Sequence, residues 1–212
     1  RPRTPDAIAA AMPKDGRRGV KRAERVAKEA GVVIKDETGM DRATFDEVYR
    51  VLEETSERDG FTPHSADVYW TMLTTLGEQA RMYVARLDGR PVAWVLVVVN
   101  GISAVAYYGA STTADRATRA AEATDWYAAC DLAAKGYKGY DFMGAGSTRV
   151  PELYSVGMYK KRFAQHPTEV DGAWDVPVQR PVFEALVAAK KAKHLVRKAT
   201  VVASKAPEAI KR

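Results

Sequence analysis

Three consecutive β-rich runs joined by very short turns constrain the fold of this chain more than any other feature. The runs cover residues 81–87, 91–99 and 102–108. Asp88-Gly89 separates the first two runs and Asn100-Gly101 the last two. Both dipeptides are typical of two-residue hairpin turns, because Gly, Asn and Asp accept the positive φ angles that these turns need. The sequence therefore predicts an antiparallel three-stranded meander.

Helical and extended segments surround the meander. Apolar residues at helical spacing, together with capping and turn residues, indicate helices on both sides of it. The predicted helices cover residues 15–30, 41–58, 65–76 and 117–134, one that starts at Pro151, and a last one from about 181 to 202; the further strands cover residues 32–34, 139–143 and 168–176. The helix between the meander and residues 139–143 implies a crossover connection. This order predicts an α+β fold, a central and mostly antiparallel sheet flanked by helices, as expected of a GCN5-related acyltransferase (GNAT-like) fold.

Size and composition exclude several classes of protein. With 212 residues, of which 46% are hydrophobic and 28% charged, the chain can bury one good core, so we predict one domain with extensions. The single cysteine, Cys130, excludes a disulfide scaffold and a cysteine-ligated metal site, and we predict no metal site. The longest apolar run, residues 92–99, is far shorter than the ~20 residues of a membrane-spanning helix. We therefore expect a cytoplasmic protein without a membrane span.

Charge is distributed unevenly along the chain. Residues 1–35 carry 10 basic and 4 acidic residues, residues 36–179 carry 14 and 21, and residues 180–212 carry 9 and 2. Basic ends suggest contact with a polyanion such as RNA, an anionic membrane surface or a pyrophosphate, although two solvated helices with lysine-rich faces explain the same pattern. We divide the chain into an N-terminal extension (1–14), an acyltransferase-like domain (15–179) and a basic C-terminal helix and tail (180–212).

Five segments, taken in order, resemble one protein family. They are EETSERDGF (53–61), AVAYYGAS (104–111), GYDFMGAG (139–146), MYKKRF (158–163) and EVDGAWD (169–175). Together they resemble the C-terminal GCN5-related domain of the Fem family, the nonribosomal peptidyl transferases that build peptidoglycan cross-bridges. The resemblance covers roughly residues 16–195. It implies transfer of an aminoacyl group from aminoacyl-tRNA to an amino group in the stem peptide of a lipid-linked or nucleotide-linked peptidoglycan precursor.

The resemblance also assigns roles to particular residues. Lys160 matches the lysine of the family's Phe-Lys motif and would stabilise the oxyanion or hold the tRNA 3′ end, with Tyr159 in place of the phenylalanine as a substrate-binding residue. Arg58 matches an arginine that reaches the precursor's phosphates, and Tyr108 a tyrosine of the substrate channel. From the residues alone, the favoured interpretation of Lys160 is an exposed basic turn of a helix with Lys161 and Arg162, and Arg58 fits an i,i+4 partner of Glu54.

Basic residues outside the motif are the candidates for tRNA binding. They are Lys161, Lys190, Lys191, Lys193 and Arg197. The density of the last four suits either an RNA backbone or peripheral contact with an anionic membrane, where a lipid-linked precursor would lie. Family members have two such domains. Because only one is present and the chain begins with Arg1, we expect a missing N-terminal domain within a longer polypeptide.

The donor can be argued from the turn before the helix at residues 117–134. Pyrophosphate binding by CoA-dependent members of this fold needs glycines there, since only glycine lets backbone amides close around phosphates. The chain has no glycine between Gly109 and Gly136. We therefore expect no cofactor, with aminoacyl-tRNA as the donor substrate. A noncatalytic RNA-binding or precursor-binding module and a CoA-dependent N-acetyltransferase remain the alternatives.

Overall fold

The computed structural model describes residues 3–146, 154–164, 168 and 174–204. Residues 1–167 and 168–212 form two compact units, and each is described by itself. In the first unit the helices are α1 (Pro5–Ala10), α2 (Lys14–Glu29), α3 (Arg42–Asp59), α4 (Ala66–Leu76), α5 (Ala120–Ala134) and α6 (Tyr154–Lys160). The strands are β1 (Val33–Asp36), β2 (Ala80–Leu87), β3 (Arg90–Asn100), β4 (Ser103–Ser111) and β5 (Gly139–Asp141).

The five strands form one sheet in the order β1-β2-β3-β4-β5. Neighbours from β1 to β4 are antiparallel, and β5 pairs with β4 in parallel after the crossover through α5. Gly89 and Gly101 adopt the positive φ angles, 81° and 57°, that the two short turns require. The predicted meander, the crossover and the α+β, mostly antiparallel fold are confirmed.

Helices cover both faces of the sheet because its central strands are apolar on both sides. Met82 of β2 packs with Phe45 of α3 and Tyr69 of α4, whereas Tyr83, the next residue along β2, packs with Leu132 of α5. Successive side chains of a strand point to opposite faces, so α3 and α4 cover one face and α5 the other. A second layer forms where Ala23 and Ala27 of α2 pack on Ala123 of α5.

The helices and strands begin and end at or within a few residues of the predicted positions. The Asp41 carboxylate accepts a hydrogen bond from the backbone N–H of Thr44 (2.8 Å) at the start of α3, and Gly60 ends that helix with φ 74°. The expected start of α5 is residue 117, but a 3-10 turn, Arg116–Thr118, precedes the helix, which begins at Ala120. Strand β4 runs to Ser111, three residues beyond the predicted end.

A register shift distinguishes β4 from a regular strand. Leu96 of β3 pairs with Tyr108, but Val97 pairs with Ala106, so Tyr107 is an extra residue that forms a bulge. The parallel pairing of β4 with β5 ends at Val105 and Asp141. Beyond that point β4 continues to Ser111 while β5 has stopped. The two strands therefore separate beyond these residues. The segment that follows β5 contains Gly144, which binds Lys160 of α6.

The second unit contains one long helix among its described residues, α7 (Arg180–Ser204). This helix confirms the expectation of a helix from about 181 to 202. Most of the predicted strand 168–176, and Pro151 as a helix start, lie outside the described residues; Thr168 and residues 174–176 are not in a strand. In the part of the chain that the structure describes, no helix has both the length and the apolar character needed to cross a membrane.

Candidate functional site

Lys160 lies at the C-terminal end of α6 and is partly buried. Its Nζ donates a hydrogen bond to the backbone carbonyl of Gly144, at 2.8 Å, in the segment that follows β5. Burial lowers the pKa of Lys160, and the carboxylates of Asp125 and Asp141 oppose that shift. Lys160 is thus less exposed than Lys161 and Arg162, the other residues of the basic turn. Its amine is tethered to a fixed backbone position.

A glycine contact lets α6 approach the segment after β5. A Cβ at Gly157 would lie 2.6 Å from the backbone nitrogen of Gly146. This distance is shorter than any real Cβ contact, so only glycine fits at this point of α6. The glycines of the GYDFMGAG and SVGMYKK segments thus meet, and their contact places Lys160 within reach of Gly144.

Asp125 of α5 binds residues on both sides of this contact. Its Oδ2 accepts a hydrogen bond from the Tyr159 hydroxyl (2.5 Å) and its Oδ1 one from the Tyr140 hydroxyl (3.4 Å). Burial raises the pKa of Asp125 to about 6, against the lowering effect of the two hydroxyls and of Lys160. Burial also raises the tyrosine pKa values, so both hydroxyls keep their protons and act as donors.

Asp125 is not among the residues expected from the sequence. The sequence did contain a signal, because the residues three, four and seven positions after Asp125 on α5, namely Ala128, Ala129 and Leu132, are buried. An aspartate on the same face of the helix needs a hydrogen-bonding partner. The partner is Tyr159. Its ring packs on Phe163, with centroids 5.5 Å apart, and its hydroxyl reaches Asp125. Substrate binding by Tyr159 stays a prediction.

Asp141 caps the segment after β5. Its carboxylate accepts a hydrogen bond from the backbone N–H of Met143 (2.7 Å), and Met143 has φ 59°. An aspartate that satisfies a backbone amide in this way is already engaged in shaping the turn. Its charge also acts on Lys160.

Arg58 lies elsewhere, where the C-terminus of α3 meets the end of β4. Its guanidinium donates to the carbonyl of Ser111 (2.8 Å) and makes two hydrogen bonds with the Asp59 carboxylate (2.9 and 3.0 Å). Glu54 accepts instead from the N–H of Thr113 (2.7 Å). The pKa of Arg58 is raised by its hydrogen bonds to Asp59 and also by the charge of Glu54. The contact of Arg58 with precursor phosphates stays a prediction.

Tyr108 faces α4, on the other side of the sheet from α5. Its ring makes an edge contact with Tyr69, with centroids 4.7 Å apart, and packs against the core under α3 and α4. Tyr107, the bulge residue, is 43% exposed. Tyr159 and Lys160 lie next to Asp125 on α5. Arg58 and Tyr108 lie instead on the face of the sheet that α3 and α4 cover. The channel role of Tyr108 stays a prediction.

The candidates for tRNA binding are exposed where the structure describes them. Lys161 follows Lys160 and is exposed, and so are Lys190, Lys191 and Lys193 on α7. The side chain of Arg197 lies outside the described part of the chain. Within that part, no cluster of three or more His, Cys, Asp or Glu side chains has a geometry suited to a metal ion.

An arginine occupies the turn at the start of α5. Arg119 has φ 56°, a left-handed conformation that favours glycine, and it forms an ion pair with Glu122 in the first helical turn. Glu122 is buried, with 6% of its surface exposed. A carboxylate therefore occupies the end of the helix where the dipole favours negative charge, and the nearest guanidinium is already paired with it.

Comparison with known proteins identifies the family. A family model described as an acetyltransferase (GNAT) domain matches residues 14–161. The chain belongs to this GNAT family. It therefore has the fold of an acyltransferase, and the predicted fold class is confirmed. No curated protein matches the chain.

Solved structures extend this result. The structure of FemX matches with a TM-score of 0.66 and 16% identity, over 76% of this GNAT chain and 56% of FemX. The C-terminal domain of a putative lysylphosphatidylglycerol synthetase from Agrobacterium fabrum matches with a TM-score of 0.57 and 15% identity, over 74% and 54% of the two chains. An aminoglycoside acetyltransferase from an uncultured soil metagenomic sample, in complex with sisomicin, matches with a TM-score of 0.53 and 15% identity, over 69% and 96%.

These likenesses concern the fold. The predicted resemblance to the GCN5-related domain of the Fem family is confirmed at that level. The chain spans about half the length of the FemX and synthetase chains that it matches.

Proposed function

We propose that this GNAT domain takes part in transferring an amino acid from aminoacyl-tRNA to an amino group in the stem peptide of a peptidoglycan precursor. The observation that carries the proposal is the tethered amine of Lys160, held 2.8 Å from the Gly144 carbonyl at the edge where β4 and β5 separate. Similarity in fold to FemX and to a lysylphosphatidylglycerol synthetase supports aminoacyl transfer in general. The acceptor is lipid-linked or nucleotide-linked, which fits a cytoplasmic site of action.

The reaction needs a donor for a developing negative charge. The acceptor amine attacks the ester carbonyl of the aminoacyl-tRNA, and the carbonyl electron pair moves onto oxygen. When the tetrahedral intermediate collapses, the amide forms and the ester oxygen leaves as a tRNA ribose hydroxyl, while the amine loses a proton. The Lys160 ammonium has three N–H donors. One binds Gly144, so two remain for the oxyanion.

The test of this function compares charged tRNA and acetyl-CoA as donors of the acyl group. The protein should transfer a radiolabelled amino acid from charged tRNA to a lipid-linked or nucleotide-linked precursor, and should not transfer acetyl from acetyl-CoA. Transfer from acetyl-CoA to the same acceptors, without transfer from charged tRNA, would favour the N-acetyltransferase alternative.

Binding of acetyl-CoA is a separate prediction. Calorimetry on the 212-residue chain should detect no binding at micromolar concentrations, because the Arg119–Glu122 ion pair occupies the turn where phosphates would need free amides and positive charge. A micromolar affinity would contradict both this prediction and the proposed donor.

The exposed basic residues of α7 are suited to binding a nucleic acid. We propose that Lys190, Lys191 and Lys193, which are exposed, and Arg197 contact the tRNA backbone. Lys161, in the first unit, is proposed separately as a contact with the tRNA backbone. This observation also supports the second candidate, a noncatalytic RNA-binding or precursor-binding module, which differs in not requiring Lys160. Peripheral contact with an anionic membrane is a further proposal for the same basic surface.

Salt dependence tests the role of these residues. Replacing Lys190, Lys191, Lys193 and Arg197 by glutamine should weaken tRNA binding and reduce the slope of log affinity against log salt by about 0.7 to 0.9 for each phosphate that is no longer neutralised. The matched control replaces the four alanines Ala185, Ala188, Ala189 and Ala192 of the same helix by glutamine, which adds amides without removing charge. If the charge variant binds tRNA with the parental affinity and slope, these residues are only a solvated surface.

A further inference from the structure

Asp125 occupies the junction of three elements that form the site. It lies on α5 and is partly buried. One carboxylate oxygen binds the hydroxyl of Tyr159 on α6, and the other binds the hydroxyl of Tyr140 on β5. The carboxylate therefore joins the helix that carries Lys160 to the strand that leads to Gly144.

Both residues that bind Asp125 lie close in the chain to a partner of the Lys160–Gly144 hydrogen bond. Tyr159 immediately precedes Lys160, and Tyr140 lies four residues before Gly144, whose carbonyl accepts from Lys160 Nζ. Asp125 thus holds Tyr159, next to Lys160, and Tyr140, which precedes Gly144. The Lys160 amine and the Gly144 carbonyl then bind each other. The position of the amine is fixed from both sides by one carboxylate.

We propose that Asp125 is a positioning residue for Lys160, which holds α6 and β5 at its two oxygens and whose charge acts on the Lys160 amine. This inference rests on the proposed role of Lys160 in transfer. It explains the tyrosine that stands in this chain where the family resemblance places phenylalanine, because the added hydroxyl is the group that binds Asp125.

The charges around Lys160 support this role. Burial favours the neutral amine, and two carboxylates favour the ammonium: Asp125 on α5 and Asp141 at the end of β5. Asp125 in turn faces Tyr159, Tyr140 and Lys160, with Glu122 one turn earlier on its own helix. Asp141 is already bound to a backbone amide. Asp125 is thus the carboxylate that both anchors α6 and acts on the amine.

The chain contains a matched control on the same helix. Asp131 of α5 accepts hydrogen bonds from the Tyr83 hydroxyl (2.6 Å) and from Lys135 (2.6 Å). This aspartate has the same kind of partners as Asp125, a buried tyrosine and a lysine, but it faces β2. Asp131→Asn therefore removes an equivalent charge and hydrogen bond of α5 without touching α6.

The first experiment titrates Lys160 and needs no substrate. The 212-residue chain is labelled with acetic anhydride over a range of pH, and labelling of each lysine is measured by mass spectrometry of peptides, with exposed Lys161 as the internal reference. Asp125→Asn should move the labelling midpoint of Lys160 to lower pH, because the ammonium loses a stabilising charge, and should leave Lys161 unchanged. Asp131→Asn should move neither midpoint.

The second experiment tests positioning. Tyr159→Phe removes one anchor and keeps the ring, so amide hydrogen exchange in α6 should become faster, and Tyr83→Phe, which removes the hydroxyl bound to Asp131, should leave α6 unchanged. In the transfer assay with charged tRNA and precursor, Asp125→Asn and Tyr159→Phe should lower kcat roughly 10- to 100-fold with KM unchanged.

The results of these experiments distinguish the positioning role of Asp125 from the proposed role of Lys160 in transfer. An unshifted Lys160 midpoint in Asp125→Asn, or unchanged exchange of α6 in Tyr159→Phe, overturns the positioning role whatever the transfer rate does. A shifted midpoint and faster exchange, together with parental transfer by Lys160→Ala, would support the role of Asp125 and reject the proposed function of Lys160.

Discussion

We expect Lys160→Ala to lower the rate of aminoacyl transfer by roughly 10²- to 10³-fold. Removal of one preorganised donor to an oxyanion has this magnitude in acyl-transfer enzymes. The amine of Lys160 is preorganised by its hydrogen bond to Gly144 and by partial burial. The measurement is the initial rate with charged tRNA and precursor both saturating, so that weaker binding does not account for the effect.

Lys161→Ala is the matched control for this variant. Lys161 follows Lys160 in the chain and is exposed, so it has the same charge without the tether. Its replacement should affect the salt dependence of tRNA binding and change the saturated rate far less. If Lys161→Ala has the larger effect, the family match is displaced by one residue and the mechanism applies to Lys161.

Lys160→Arg separates charge from geometry. Arginine keeps the positive charge, but its planar guanidinium cannot place a donor where the compact ammonium sits beside Gly144. We therefore expect Lys160→Arg to remain strongly impaired. Parental rates in Lys160→Ala, Lys161→Ala and Lys160→Arg together would reject a catalytic role for this lysine and favour the noncatalytic binding module.

The sheet could be predicted from the sequence because its signals are local. Asp88-Gly89 and Asn100-Gly101 each fix a turn within four residues, and the apolar runs on either side have no other way to be buried. Asp41 and Gly60 likewise bound α3 through contacts within their own turns. Where the information lies within a few residues of the chain, the prediction and the structure agree.

The site could be predicted only in part, because its contacts join residues far apart in sequence. The family resemblance indicates Lys160, but its partner Gly144 lies 16 residues away, and the Tyr159–Asp125 hydrogen bond joins residues 34 apart. The bulge at Tyr107 depends on how β4 pairs with β3, which strand alternation alone does not reveal. For Arg58 the sequence suggests a partner one helical turn away, whereas Asp59 and Ser111 bind it.

Gly16→Ala should destabilise the domain, although alanine normally stabilises a helix. Gly16 lies in α2, where replacing glycine by alanine would ordinarily contribute about 0.5 to 1 kcal/mol of stability. Here a Cβ would lie 1.6 Å from the backbone carbonyl oxygen of Arg162. A backbone group cannot rotate away as a side chain does, so α2 and the end of α6 must move apart.

We expect the free energy of unfolding to fall by about 2 kcal/mol in this variant, within the range of overpacked cores. The measurement is urea unfolding followed by circular dichroism. Gly19→Ala, three residues further along the same helix, is the control, because its Cβ would meet only the side-chain oxygen Oε1 of Glu122, at 3.1 Å. Both variants replace a glycine of α2 by alanine, so the difference between them mainly reports the backbone contact at Gly16.

This contact also reaches the candidate site, since Arg162 is two residues after Lys160. Displacing the end of α6 should move the amine away from Gly144, so Gly16→Ala should reduce transfer even at temperatures where the variant is fully folded. If Gly16→Ala proves as stable as Gly19→Ala, then α2 does not approach α6 as closely as the structure has it. If it is destabilised but transfers at the parental rate when folded, Lys160 acts without needing the fixed position that its contact with Gly144 provides.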